Sequence, residues 1–285
     1  MTDTIAGNKP AVLIIGGLGE PRIICLTTFS LTHSLRLTIG YVGRFLALHL
    51  HKNNLASEVR LVDKQLPELA YLAPEFKDAC SKDNFMQADA SREQSMARIF
   101  NRTSSRRDYD YVFNCGGETR YSQEDEVYKA RSYALAMTLG NECAKRRTPV
   151  FVQLSTGMVY KSDSKPRTEE DKLKPWLKQA TWALRAEEDL SKIEGLRMVI
   201  LRLANVYGPY TQNFLGTALC LARVYQDLGE EMKWLWDKDL RTNTVHVEDV
   251  ARALWTSAKW YSKQEIVVKP VPIFNIVDHG NTCKC

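Results

Sequence analysis

The chain has 285 residues, of which 44% are hydrophobic and 26% are charged, and its formal net charge is +5. This length can bury one large α/β core with a small second lobe, the composition is that of an ordinary globular protein, and a positive charge this mild and unclustered argues against nucleic-acid binding. Seven scattered cysteines argue against a disulfide framework, and an N-terminus without a basic region followed by an apolar stretch argues against a secretory signal, so we expect a cytoplasmic protein.

The first predicted element is a buried strand that leads into a glycine-rich turn, and this turn is split in two. Residues 11–19 have the sequence AVLIIGGLG, and residues 40–50 have the sequence GYVGRFLALHL. If residues 20–39 are removed and Gly19 is merged with Gly40, the halves join into a strand, a tight turn and the start of a helix. Such a turn binds a pyrophosphate, because glycine permits positive φ, the absent Cβ lets the anion approach, and the helix N–H groups face it. The cofactor-binding residues predicted here are Gly16, Gly17, Gly19, Gly40, Tyr41, Val42 and Gly43.

The segment 20–39 separates the two halves of this turn. Its residues are rich in Leu, Ile and Thr without helical periodicity or strand alternation, and its two Arg and one His argue against a membrane span. The turn keeps its function only if the segment loops out and Gly40 enters where Gly19 leaves. Codons at both ends of the segment can supply a splice donor and a splice acceptor in the same phase, so our hypothesis is a retained intron. A genuine surface insertion is the alternative.

Apolar runs typical of buried parallel strands alternate with helical patterns up to about residue 207. This alternation predicts an α/β fold with a Rossmann-type doubly wound parallel sheet and right-handed crossovers. The alternation fades from about Gly208 onward, so we expect an NAD(P)-binding domain over residues 1–207 and a substrate lobe over residues 208–285 that partly returns to the sheet. The predicted strands are 11–15, 58–62, 84–88, 109–113, 150–154 and 198–203, and the predicted helices are 41–52, 92–100, 126–146 and 173–193.

Two aspartates follow predicted strands. Asp63 comes twenty residues after Gly43, where a carboxylate accepts hydrogen bonds from the adenosine ribose and repels a 2′-phosphate, so NAD is favoured over NADP. The alternative is an aspartate that only ends a strand. Asp89 ends the third predicted strand, and it either reaches the adenine edge or caps the helix that follows. The sequence leaves both roles open.

Four further segments join the mended turn in resembling one family. They have the sequences VFNCGGET (112–119), LSTGMVY (154–160), LRLANVYGP (201–209) and TVHVEDVARA (244–253). Together they resemble the NAD-dependent epimerase/dehydratase family of extended short-chain dehydrogenases/reductases, which act largely on nucleotide sugars. The resemblance runs from about residue 11 to residue 278, the insertion aside. It implies NAD as cofactor and a small-molecule substrate such as a nucleotide sugar. The mild charge and the polar residues of the segment 20–39 lead us to expect neither a nucleic acid nor a membrane as partner.

The resemblance also implies roles for individual residues. The hydroxyl of Thr156, with Ser155 beside it, would hold a substrate oxygen during hydride transfer, and these two are the predicted catalytic residues. For Arg241, an ordinary solvated arginine is the alternative to a substrate contact. The implied cofactor contacts are Asn114, Gly116 and Gly117, and the implied substrate contacts are Asn205 and Arg241.

The chain departs from the family at the catalytic tyrosine and lysine. None of its twelve tyrosines is followed by a lysine four residues later. Alignment on Ala186 and Glu187 places Gln179 at the tyrosine position and Ala183 at the lysine position. Loss of an acid–base group lowers a rate by roughly 10² to 10⁴. The sequence therefore leaves two functions open, namely hydride transfer of the epimerase/dehydratase type and a non-catalytic NAD-binding scaffold or redox sensor.

Two expectations concern the C-terminal part and the assembly. The chain stops seven residues after Asp278, so we expect an incomplete substrate lobe, and a naturally short lobe is the alternative. The predicted helices 126–146 and 173–193 resemble those through which relatives dimerise, which makes a homodimer an expectation. We expect no metal site.

Overall fold

A computed structural model describes residues 9–16, 40–67, 72–102, 108–161, 167–211, 214–234 and 242–279. The strands are β1 (Ala11–Ile15), β2 (Glu58–Asp63), β3 (Phe85–Gln87), β4 (Tyr111–Asn114), β5 (Val150–Thr156), β6 (Met198–Leu203), β7 (Asn205–Tyr207), β8 (Thr244–His246) and β9 (Ile273–Ile276). The helices are α1 (Gly40–Lys52), α2 (Glu93–Phe100), α3 (Asp125–Tyr128), α4 (Ala134–Arg146), α5 (Lys178–Leu190), α6 (Phe214–Leu228) and α7 (Val247–Ser262). Over these ranges, every helix is too short or too polar to cross a bilayer.

Seven strands form one parallel sheet in the order β3-β2-β1-β4-β5-β6-β9, and β7 and β8 form a separate parallel pair. The chain runs outward from β1 to β3 and then continues on the other side of β1 with β4. The sheet order thus reverses between β1 and β4, and this is the position where open α/β sheets bind ligands at the carboxyl ends of their strands. The order confirms the predicted Rossmann-type doubly wound fold.

The central strands are apolar because both faces of the sheet are covered by helices. All five residues of β1 and all six residues of β6 are buried. Val12 and Ile14 share one core cluster with residues of α1 and α7. Leu13 and Ile15 share the opposite cluster with residues of α2, α4 and α5. The two clusters hold the sheet between two helical layers.

Two predicted helices differ from the observed ones. The prediction of a helix over 173–193 is wrong at its start, because Leu173 pairs with Tyr160 in an antiparallel bridge and α5 begins only at Lys178. The residue before Pro175 is also biased away from helical geometry. The predicted helix 126–146 contains a π-helical turn at Lys129–Tyr133 between α3 and α4.

Two elements beyond residue 208 belong to the layers of the main sheet. Strand β9 pairs with β6 and forms one edge of the sheet. Helix α7 lies on the same face as α1, and its residues Val250 and Leu254 are fully buried. Helix α6 has a different environment, since Leu219, Leu221 and Leu228 are exposed along it.

Candidate functional site

Gly16, directly after β1, brings two strand ends into backbone contact. Its φ is +83°, and a Cβ built on it would lie 2.8 Å from the Cα and 2.9 Å from the N of Gly116, which follows β4. The Gly16 N–H donates to the carbonyl of Val62 at 2.8 Å. A residue with a side chain fits here neither in conformation nor in space. The position between β1 and β4 where the strand order reverses therefore presents bare backbone, here called the floor. Bare backbone suits the close approach of a dinucleotide.

Helix α1 begins at Gly40 and packs against β1. Gly40, Val42 and Gly43 are buried in its first turn, and Val42 packs in the core cluster that contains residues of β1. The Tyr41 hydroxyl donates to the Pro209 carbonyl at 2.8 Å, so the segment after β7 lies against the start of α1. The predicted residues Gly17 and Gly19, with the segment 20–39, lie outside the described residues.

The two predicted aspartates have different environments. Asp63 ends β2, and its Oδ1 accepts the Gln65 N–H at 3.1 Å. Asp89 accepts the N–H and the hydroxyl of Ser91 at 3.0 and 2.5 Å, and its Oδ1 lies 3.0 Å from Lys64 Nζ. Burial raises the pKa of the Asp89 carboxyl, but the bonds from Ser91 and Lys64 outweigh it and hold that pKa below its ordinary value. Asp89 thus shapes the turn before α2 but does not cap that helix, whose N-cap residue is Arg92 and lacks a side-chain cap hydrogen bond, so the capping alternative is wrong.

Asn114 is a buried residue that shapes the loop after β4. Its amide donates to Gln153 Oε1 at 2.8 Å, and its Oδ1 accepts the Gly116 N–H at 3.1 Å. The side chain has no exposed surface. Gly117 has a φ of +152°, which a residue with a Cβ rarely adopts. Asn114 therefore acts on the proposed cofactor floor through the backbone of Gly116.

The two predicted catalytic hydroxyls point to opposite faces of β5, because successive side chains of a strand alternate. Thr156 ends the strand, and its Oγ1 accepts the Met158 N–H at 3.2 Å. That contact does not use the hydroxyl hydrogen of Thr156. Ser155 instead donates its hydroxyl hydrogen to the Glu187 carboxylate of α5. The structure thus separates the environments of two residues that the sequence placed together.

Ser155 belongs to a buried polar cluster that the sequence analysis missed, here called the clasp and formed by Ser155, Tyr160, Glu187, Arg202 and Asn275. Glu187 and Arg202 form its centre, with Nη2 and Oε2 2.6 Å apart and side chains 4% and 2% exposed. Tyr160 accepts from Arg202 Nη1 at 2.7 Å and donates to Asn275 Oδ1 at 2.8 Å. The one sequence signal for the clasp is an arginine inside the otherwise apolar strand β6.

The first two turns of α5 carry Gln179 and Ala183, the residues predicted at the tyrosine and lysine positions. Lys178 Nζ lies 3.1 Å from the Asp125 carboxylate, and the Trp182 indole donates to Asp125 at 2.8 Å. The start of α5 is therefore held against the start of α3. Gln179 and Ala183 are both partly buried in this contact region.

The predicted substrate contacts lie beyond β6. Asn205 begins β7, is partly buried, and donates its N–H to the Asn243 carbonyl at 3.1 Å. Nearby, His246 Nδ1 accepts the Glu248 N–H at 3.4 Å, so this imidazole caps α7. Arg241 lies outside the described residues. In the described ranges, no group of three or more His, Cys, Asp or Glu side chains is arranged to hold a metal ion.

Comparisons with known proteins agree with this geometry. The profile of the NAD dependent epimerase/dehydratase family matches residues 38–273, which confirms the resemblance inferred from the motifs and supports NAD as the cofactor. The match begins close to Gly40, whereas the structure adds β1 to the centre of the same sheet. A comparison with curated proteins finds no match.

Several solved structures share the fold. MoeE5 in complex with UDP-glucose and NAD is 16% identical, with a TM-score of 0.66 and 96% of this chain and 78% of that chain covered. The ADP-L-glycero-D-manno-heptose-6-epimerase of Helicobacter pylori is 20% identical, with a TM-score of 0.69 and 95% and 77% covered. The UDP-glucose 4-epimerase of Thermotoga maritima with UDP-glucose is 23% identical, with a TM-score of 0.62 and 94% and 76% covered. At these identities the likeness establishes the fold.

Proposed function

Because this chain belongs to the NAD-dependent epimerase/dehydratase family, we propose that it binds NAD across the carboxyl edge of its sheet and transfers hydride with a nucleotide sugar or a similar hydroxyl- or carbonyl-bearing substrate. The observation that carries the proposal is the bare backbone of Gly16 and Gly116, which approach each other so closely that a Cβ on Gly16 would lie 2.8 Å from Gly116 Cα. Backbone at this point of strand reversal fits a pyrophosphate.

The residues that would hold NAD lie on three elements. The first turn of α1, from Gly40, would face the pyrophosphate with its N–H groups. Asp63 would accept hydrogen bonds from the adenosine ribose, and Gly116 and Gly117 would lie beneath the cofactor. When bound, NAD supplies the acceptor and donor of hydride. The Thr156 hydroxyl would donate to the substrate oxygen while its own oxygen accepts the Met158 N–H.

A nucleotide sugar is the substrate class we propose. Its support is the family assignment together with the shared fold of sugar-nucleotide epimerases such as the heptose epimerase of Helicobacter pylori. Asn205 and Arg241 are proposed to contact this substrate. We also propose that the chain forms a homodimer through α4 and α5. Its proposed location is the cytoplasm.

A second candidate function is NAD binding without catalysis. It is favoured by the hydroxyls of Ser155 and Tyr160, which are both engaged inside the clasp. With Gln179 and Ala183 at the tyrosine and lysine positions, a reaction would lack roughly 10² to 10⁴ of acid–base assistance.

Nicotinamide absorbance with a panel of UDP- and GDP-sugars tests both functions. It is measured on the full chain and on a variant in which residues 20–39 are deleted and Gly19 is merged with Gly40. Turnover by either protein supports hydride transfer, whereas tight NAD binding without turnover supports the scaffold. If calorimetry detects NAD binding by neither protein, both functions are wrong.

A further inference from the structure

Three polar side chains of the clasp lie at one level on three neighbouring strands. The sheet register pairs Ser155 of β5 with Arg202 of β6, and Arg202 with Asn275 of β9. Register neighbours point to the same face of a sheet, and here that face is covered by α5. The preceding residues on this face, such as Phe151 and Ile200, are buried in the apolar cluster beneath α5. The polar row therefore follows the apolar core of this face, and on β5 the buried Gln153, which accepts from Asn114, lies between them.

Helix α5 contributes the group that joins the row. Glu187 accepts from Ser155 and from Arg202, whose Nε lies 3.2 Å from both carboxylate oxygens. Tyr160 links Arg202 to Asn275. Burial lowers the pKa of Arg202, but the bonds from Glu187 and Tyr160 outweigh it and hold that pKa above its ordinary value. The clasp is thus one charged, hydrogen-bonded unit that connects α5 to three strand ends.

A buried ion pair of this kind is a poor source of stability. Desolvation of two charges costs about as much as their attraction returns, and replacement by apolar residues is often neutral or stabilising. The clasp does, however, determine geometry. It fixes the orientation of Ser155 at the end of β5, and Thr156 is the next residue on the opposite face. It also holds α5 through Glu187, about two turns after Gln179. Relatives carry their acid–base pair on this helix.

We propose that Glu187 and Arg202 are positioning residues, which set the end of β5 and the start of α5 against the nicotinamide half of the cofactor site. This inference rests on the proposed function. The adenosine half would lie over β2, where Asp63 would bind the ribose, so the nicotinamide half would lie on the side of β4 and β5. Loss of the clasp should therefore weaken binding of the nicotinamide half and spare the adenosine half.

The test compares two ligands on the variant Glu187→Met with Arg202→Met. NADH and ADP-ribose share the adenosine, the pyrophosphate and the second ribose, and only NADH carries the nicotinamide ring. We expect a Tm within about 3 °C of the wild type, an unchanged Kd for ADP-ribose and a Kd for NADH raised about tenfold. Hydrogen exchange should become faster over residues 153–161 and 178–190. The exposed Arg223–Asp227 pair of α6 gives the control Asp227→Asn, which should change none of these.

Equal weakening of both ligands together with a lower Tm would mean a purely structural role and overturn the inference, as would unchanged NADH binding. If the double variant does not fold, Tyr160→Phe, which removes only the hydroxyl between Arg202 and Asn275, should raise the Kd for NADH two- to threefold and leave ADP-ribose unaffected. If the wild type binds neither ligand, the proposed function is wrong, and unchanged hydrogen exchange would then overturn the clasp as well.

Discussion

The two halves of the carboxyl edge of the sheet present different chemical groups. The half near β1 and β2 presents backbone, with Gly16 against Gly116 and the start of α1 at Gly40, and one carboxylate, Asp63. The half near β5 and β6 presents polar side chains, and Ser155, Tyr160 and Arg202 are engaged within the clasp. A backbone site depends on conformation and space, whereas a catalytic site depends on a few specific functional groups. This difference explains how a chain can keep the fold of its family and its glycine floor while lacking the tyrosine and lysine.

The largest effect is expected at the backbone half, from Gly16→Ala. Alanine there must adopt a φ of +83° and also place its Cβ 2.8 Å from Gly116 Cα. We therefore expect the free energy of unfolding and the free energy of NAD binding each to fall by about 3 kcal/mol. Gly195→Ala is the matched control, since Gly195 has a φ of +74° with no atom within 4 Å of a built Cβ. It should cost about 1 kcal/mol. If urea unfolding shows the same loss of unfolding free energy for Gly16→Ala and for Gly195→Ala, the close contact at Gly16 is contradicted.

The catalytic half is tested by the double substitution Gln179→Tyr with Ala183→Lys. It restores a phenol and an ammonium four residues apart on α5, and we expect hydride transfer to rise by about 10². The measurement is nicotinamide absorbance with UDP-glucose under single-turnover conditions. Gln179→Phe with Ala183→Lys is the control without a hydroxyl. An equal rate in the two variants would show that α5 does not present this position to the substrate.

The loop between the halves is tested by the pH dependence of Glu118→Gln. The Glu118 side chain is 3% exposed and is bound by Arg120 at 2.7 Å and Arg131 at 2.9 Å. Burial raises the pKa of the Glu118 carboxyl, but the bonds and charges of Arg120 and Arg131 outweigh it and hold that pKa below its ordinary value. The stability from this group is therefore present above the unfolded pKa of about 4.3 and is lost as the pH falls through the lowered folded pKa.

We expect Glu118→Gln to lose about 2 kcal/mol of unfolding free energy at pH 7, and we expect the difference from wild type to shrink below about pH 4. Urea unfolding across this range measures it, with the exposed Asp227→Asn as control. A difference that stays constant with pH would show that the carboxylate charge is not what holds the loop.

The smallest effect is expected for Asp63→Ala at the adenosine end. Removal of the carboxylate should weaken NAD binding and relax discrimination against the 2′-phosphate, with a change of about tenfold in the ratio of the NAD and NADP dissociation constants. Isothermal titration with both cofactors measures the ratio. Asp83→Asn, a change at an acidic residue before β3, is the control. An unaltered preference would leave Asp63 as a residue that only ends a strand.

Local patterns in the sequence predicted most strands of the sheet and missed the short strands and the start of α5. The strand at 11–15 coincides with β1, because an unbroken apolar run has no stable position outside a covered sheet. Strands β7 and β8 were not predicted, since segments of three residues carry too little pattern. Helix α5 begins later than predicted because Leu173 takes part in a bridge to Tyr160, a contact that periodicity does not contain.

The sequence by itself determined the alternation of strands and helices and the glycine turn after the first strand, because hydrophobic period and glycine position are local properties. Tertiary structure alone decided which polar groups are engaged. Ser155 meets Glu187 32 positions away, and Tyr160 meets Asn275 115 positions away. Such pairs form only when register and helix packing bring them together, so the use of each hydroxyl is a property of the folded sheet.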